Sequence, residues 1–101
     1  MIVVNGTIES DPESIEALKA AMASMEAATR LEDGCEDYAF SVELSDASRL
    51  RITERWRDRE ALEAHMASSH MADFQKAMGA HPPKGLKIGF YEASEIQMSL
   101  G

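Results

Sequence analysis

The chain has 101 residues, of which 45% are hydrophobic and 28% charged, and 18 Asp and Glu outweigh 10 Lys and Arg to give a formal net charge of −8. That length suits one domain over residues 1–101, and the charge opposes a phosphate backbone as main partner. No apolar run approaches the roughly 20 residues that span a bilayer, and the start Met1-Ile2-Val3-Val4-Asn5-Gly6 has neither the basic beginning nor the long apolar stretch of an export signal. One Cys cannot form an internal disulfide, so a reducing cytoplasm is the expected location. The Asn5-Gly6-Thr7 sequon is then a chance match.

Residues 2–8 are short, β-branched and mostly apolar, which predicts a first strand. Asp11 and Pro12 are a good N-cap and first helical residue. Ile15, Leu18, Met22 and Met25 follow at helical spacing, so a helix is expected over about residues 12–31, stopped by Gly34. Residues 35–45 alternate, with Tyr38, Phe40, Val42 and Leu44 on one side. Residues 49–56 alternate again, with Leu50, Ile52, Glu54 and Trp56 on one side and Arg49, Arg51, Thr53 and Arg55 on the other. Joined by the polar turn 45–48, these runs predict an antiparallel hairpin, with the arginines facing Glu43, Asp37 and Ser41 as a charged ladder.

Asp58 can cap a second helix carrying Leu62 and Met66, and Ser69 a third carrying Met71, Phe74 and Met78. Gly79 would end the third, and His81-Pro82-Pro83-Lys84-Gly85 is a loop. A last strand is expected over 86–98, with Leu86, Ile88 and Phe90 on one face and Tyr91 on the other. The order β-α-β-β-α-α-β is that of an α+β, ferredoxin-like sandwich with a split second helix. Helices on one side of four strands leave the other face bare, so an apolar face closed by a homodimer is expected.

The run Glu54-Arg55-Trp56 with Leu62 and His65, followed by Ser69-His70 and Phe74, resembles the signature of the antibiotic biosynthesis monooxygenase family. Gly34-Cys35 with Tyr38 is similar to that family's other short motif. The resemblance implies a dimeric α+β barrel with a pocket between sheet and helices in each subunit. It also implies a cofactor-independent monooxygenase acting on a small phenolic or quinol-type aromatic. Trp56 matches a pocket tryptophan of the aromatic-polyketide oxygenases, and Asn5 matches a first-strand asparagine. Ile52 stands where those oxygenases carry a further asparagine. The haem-degrading branch needs a tryptophan and a histidine where this chain has His65 and Gln75, which disfavours haem.

The expected catalytic groups are therefore His65 and Glu54, either of which could move the proton of a phenol. Trp56, Asn5, Tyr38, Ile52 and Phe74 are the expected substrate-binding residues. For each there is a plainer structural role. Trp56 and the tyrosines can be core aromatics, Asn5 can be tolerated beside Gly6, and Glu54 can accept from His65 or a helix-end amide. His65 and His70 are five apart, off a common helical face, and no Cys cluster or carboxylate triad is visible, so no metal and no cofactor are expected. Two other classes remain open at this point: a small-molecule-binding dimer without turnover, and an isomerase or lyase acting on a reactive metabolite in the same pocket.

Overall fold

The computed structural model describes residues 1–101. The elements are β1 (Ile2–Glu9), α1 (Pro12–Arg30), β2 (Cys35–Glu43), β3 (Asp46–Trp56), α2 (Arg59–Met66), α3 (Ser69–Ala80) and β4 (Gly85–Glu92). The strands form one antiparallel sheet in the order β2-β3-β1-β4, the ferredoxin-like α+β arrangement. No helix is long and apolar enough to cross a membrane.

Local chemistry accounts for the elements. Asp11 Oδ1 accepts from the Ser14 amide at 2.8 Å and Pro12 opens α1, whose stripe Ile15, Leu18, Met22 and Met25 is buried. Gly34 takes φ +83°, and a Cβ there would lie 2.6 Å from that of Ala61. Only glycine lets the chain turn out of α1 this close to α2. The Arg57 amide donates to the Gly34 carbonyl at 2.8 Å, and the Arg57 guanidinium to Asp33 at 3.1 Å. The end of α1 is thus fastened to the start of α2.

The register places four rows of side chains on the helix side of the sheet: Tyr38–Glu54–Val4–Phe90, then Phe40–Ile52–Gly6–Ile88, then Val42–Leu50–Ile8–Leu86, with Trp56 and Ile2 at the near end. Two core clusters fill this side. One gathers Trp56, Tyr38, Val4 and Met25; the other gathers Leu18, Leu50, Ile8 and Met22. Phe40 and Phe74 touch both clusters, their rings 5.3 Å apart.

Five expectations shift, the first being the hairpin turn, which falls at Leu44 and Ser45 and not over 45–48, since β2 ends at Glu43 and β3 begins at Asp46. Ser68, not Ser69, caps α3, its hydroxyl accepting from the Met71 amide at 3.2 Å, because the helix already begins at Ser69. Gly79 sits inside the last turn of α3, which runs on to Ala80. The strand expected over 86–98 ends at Glu92. β4 is an edge whose sole neighbour is β1, and with Ala93 bonded to Met1 there is no partner backbone left. The face away from the helices is also not the apolar one expected: it carries Asn5, Thr7, Arg51, Thr53, Arg55 and Lys87. Of the charged ladder, the Glu43 part is there, with Arg51 at 2.6 Å and Arg49 at 3.4 Å; Arg49 also reaches Glu9 of β1 at 2.6 Å, and Arg55 meets Glu36 at 3.8 Å in place of Asp37. Exposed apolar side chains lie instead on the helix side of β4, at Leu86 and Phe90, and on the tail at Ile96, Met98 and Leu100.

Candidate active site

Helices lie over β2 and β3 but not over β4, and the gap leaves a cavity of about 370 Å3. Its floor is the inner face of β1 and β3, its far wall α2 and α3 through Leu62, Met66, Met71 and Phe74, and its open wall β4. Thirteen of the sixteen lining residues are hydrophobic. Of the rest, Glu54 is the one that can ionise; Gln75 and Pro83 are neutral. A volume near the lower end of ordinary ligand sites, with flat aromatic walls and one carboxyl, suits a small uncharged ring compound.

Glu54 is placed by register between Val4 and Tyr38 on the neighbouring strands, and it is almost wholly buried. Burial pushes its carboxyl above the ordinary value of 4.5, while the hydrogen bond from Trp56 and the nearby His65 pull the other way. The Trp56 indole Nε1 donates to Glu54 Oε1 at 2.8 Å. This replaces the expected pairing of Glu54 with His65 or a helix-end amide. A carboxyl held in one orientation, facing an apolar chamber, with its proton affinity raised, has the properties of a general base.

Tyr38, Ile52 and Phe74 line the same cavity as Glu54. Burial, then the charge of Glu54, drives the Tyr38 phenol strongly upward, so it stays protonated and can only donate or accept a hydrogen bond. Trp56 is fully buried behind Glu54 and reaches the cavity only through that carboxyl.

Asn5 does not join this group. β1 turns Val4 and Ile8 inward, and strand alternation sends Asn5 to the opposite face, opposite Thr53 and Gly89. There it borders a shallow depression with Arg51, Lys87 and Tyr91, separate from the Glu54 chamber. The expectation that Asn5 and Trp56 hold one substrate together is corrected by this parity.

His65 is also displaced from its expected role. It is fully buried, and its ring lies 4.8 Å from Trp56 and 5.3 Å from Tyr38. Its Nδ1 meets Glu32 Oε2 at 2.7 Å, and His70 Nε2 meets the same oxygen at 2.8 Å. His65 is therefore a member of a polar cluster behind the chamber wall and does not line the chamber. Sequence spacing sets His65 and His70 apart because it treats them as one helix. The break at Ala67 and Ser68 re-aims the second, and Glu32, 33 residues before His65, carries no local signal at all.

The fold agrees with that of known relatives. The family model for antibiotic biosynthesis monooxygenases matches residues 1–77, and the chain belongs to that family. A candidate antibiotic biosynthesis monooxygenase from Deinococcus radiodurans superposes with a TM-score of 0.89 and 32% identity, covering 100% of both chains. The structure of Rv0793 from Mycobacterium tuberculosis gives a TM-score of 0.83 at 25% identity, covering 96% of this chain and 98% of that one. In sequence, Rv0793, described as a candidate monooxygenase, is 37% identical over 68 residues, which is 67% of this chain and 66% of that protein. The Synechocystis protein sll1783 is 28% identical over 96 residues, 95% of this chain and 65% of that protein. The chain thus spans just under two thirds of either curated relative.

Proposed function

We propose that the protein is a cofactor-independent monooxygenase that oxidises a small uncharged phenol or quinol in the chamber between the sheet and α2–α3. The observation that carries this reading is the single buried carboxyl, Glu54, set in an otherwise apolar wall and held by the Trp56 indole. The family's activity on oxygen supports it.

The chemistry closes without an added reductant. The Glu54 carboxylate takes the phenolic proton. The phenolate is electron-rich enough to give one electron to O2, and the two radicals recombine at the free para carbon as a hydroperoxide. Loss of water leaves a quinone. One oxygen atom stays in the product, the other leaves in water, and the substrate has supplied every electron. The apolar walls favour entry of a neutral phenol and O2 and keep bulk water from the reactive anion. Tyr38, still protonated beside Glu54, is placed to donate to the developing anion, and Phe74 and Ile52 to clamp the ring.

With 1,5-dihydroxynaphthalene, one O2 is expected to disappear per naphthoquinone formed, with one labelled atom in the product when labelled O2 is used. Turnover is expected to survive chelator. Absence of enzyme-dependent uptake across a panel of phenols with a free para position would reject the reading.

The working unit is a homodimer in the cytoplasm. The apolar side chains that β4 and the tail expose, Leu86 and Phe90 with Ile96, Met98 and Leu100, need cover, and the single free Cys35 fits a reducing compartment. Sedimentation equilibrium is expected to give twice the chain mass of 11.1 kDa. A single-chain mass at micromolar concentration would refute the dimer.

A further inference from the structure

We propose that Glu32, His65 and His70 form a binding site for a divalent transition-metal ion of the Zn2+ type, behind the chamber wall. The three donors come from three places: the turn after α1, the last turn of α2 and the first turn of α3. Their ligand atoms all lie within 4.8 Å of one another. Both imidazole nitrogens converge on one carboxylate oxygen, at 2.7 and 2.8 Å, when a pair of simple hydrogen bonds could have used the two oxygens separately.

Charge favours a cation at this point. Glu32 is paired with no Lys or Arg; its partners are the two histidines. Glu54 is close enough for its own proton affinity to be raised by Glu32. The cationic side chain nearest Glu32 in sequence, Arg30, is engaged by Glu26 and the Tyr38 carbonyl, and Arg57 is held by Asp33 and Asp58. Two imidazoles and a carboxylate are the donor set borderline divalent ions prefer, and harder Mg2+ and Ca2+ do not.

The rings are already fixed. His65 lies against Trp56 and Tyr38, and the His70 ring centroid is 5.9 Å from that of His65. At zinc–nitrogen lengths of roughly 2.0–2.1 Å, tetrahedral donors stand about 3.3 Å apart, so each nitrogen would draw back from Oε2 by about half an ångström. His70 and Glu32 are partly exposed, at 25% and 17%, which leaves a solvent side for water as the remaining ligand. None of the three residues lines the chamber, so the ion would tie the end of α1 to the α2–α3 corner and take no part in the chemistry proposed for Glu54.

The test is calorimetric titration of the untagged, chelator-stripped protein with ZnCl2, beside Co2+ titration followed by visible absorption. One ion per chain is expected, with the intense visible bands of four-coordinate Co2+. His70→Ala is expected to weaken binding by about 100-fold or more, since losing a ligand costs at least as much as losing the groups that orient one. His81→Ala, in the loop after α3, is expected to bind as wild type. Should His70→Ala not fold, Glu32→Gln decides, because it keeps an oxygen acceptor and removes the charge. Wild type that takes up no ion, or variants at His70 and Glu32 that bind as wild type does, would overturn the proposal.

Discussion

Replacing Glu54 with Gln is expected to lower turnover of a dihydroxynaphthalene by about 100- to 10,000-fold, the usual worth of a positioned general base, while the fold survives. Gln has the same shape, and its oxygen can still accept from the Trp56 indole. The stability effect has a definite sign. Burial raises the carboxyl of Glu54 above the ordinary 4.5. A raised acid contributes stability that is fully present below its unfolded pKa and is lost as pH rises through the folded one. Gln does not titrate. The melting temperature of Glu54→Gln relative to wild type is therefore expected to climb as pH rises above the ordinary 4.5 and through the raised folded value. The same shift sets the wild-type pH–rate profile, whose ascending limb should have its midpoint above 4.5. A variant that keeps wild-type turnover removes Glu54 from the mechanism, whatever its melting curve does.

Trp56 should give the largest loss of stability. It is fully buried and belongs to the same core cluster as Tyr38, Val4 and Met25. Trp56→Ala should cost about 3–5 kcal/mol in urea denaturation, as other large core truncations do. Trp56→Phe is the more informative change. It keeps a ring but leaves Glu54 without its donor, a cost of about 1–3 kcal/mol. The Trp56 hydrogen bond lowers the proton affinity of Glu54, so its loss should move the ascending limb of the pH–rate profile further up. A profile that stays in place while stability falls would make Trp56 a core residue alone.

The two results together separate packing from chemistry. Glu54→Gln should lose activity and keep the fold, whereas Trp56→Ala should lose the fold. In Trp56→Phe, activity should persist at higher pH. No single core or surface role for the hairpin predicts that pattern.

Much of the scaffold is legible from local chemistry. The Asp11–Pro12 start of α1, its four-residue apolar stripe and the two alternating strands of the hairpin each follow from spacing. The inward side of β3 is legible too: once Leu50, Ile52 and Trp56 point in, Glu54 must. The same parity applied to β1 sends Asn5 outward, because Ile2, Val4 and Ile8 are the buried positions. A family resemblance that draws Asn5 into the pocket competes with that parity, and the parity wins.

What spacing cannot supply is contact across the chain. Glu32 meets His65 only because Gly34 turns the chain close against Ala61 and Arg57 fastens the turn. The end of β4 depends on where β1 runs out, not on the alternation that continues through Ile96, Met98 and Leu100. The polar character of the outer sheet face is present in the sequence as Asn5, Thr7, Thr53 and Lys87, but it becomes a face only when the strand order is known.

The central claim is where the aromatic sits, and a crystal structure of the protein with 1,5-dihydroxynaphthalene under anaerobic conditions tests it most directly. The ring should lie between Ile52 and Phe74 with a phenolic oxygen within hydrogen-bonding distance of Glu54. A ring found on the opposite sheet face, in the depression beside Asn5 and Tyr91, or a chamber left unfilled at saturating ligand, would contradict the account.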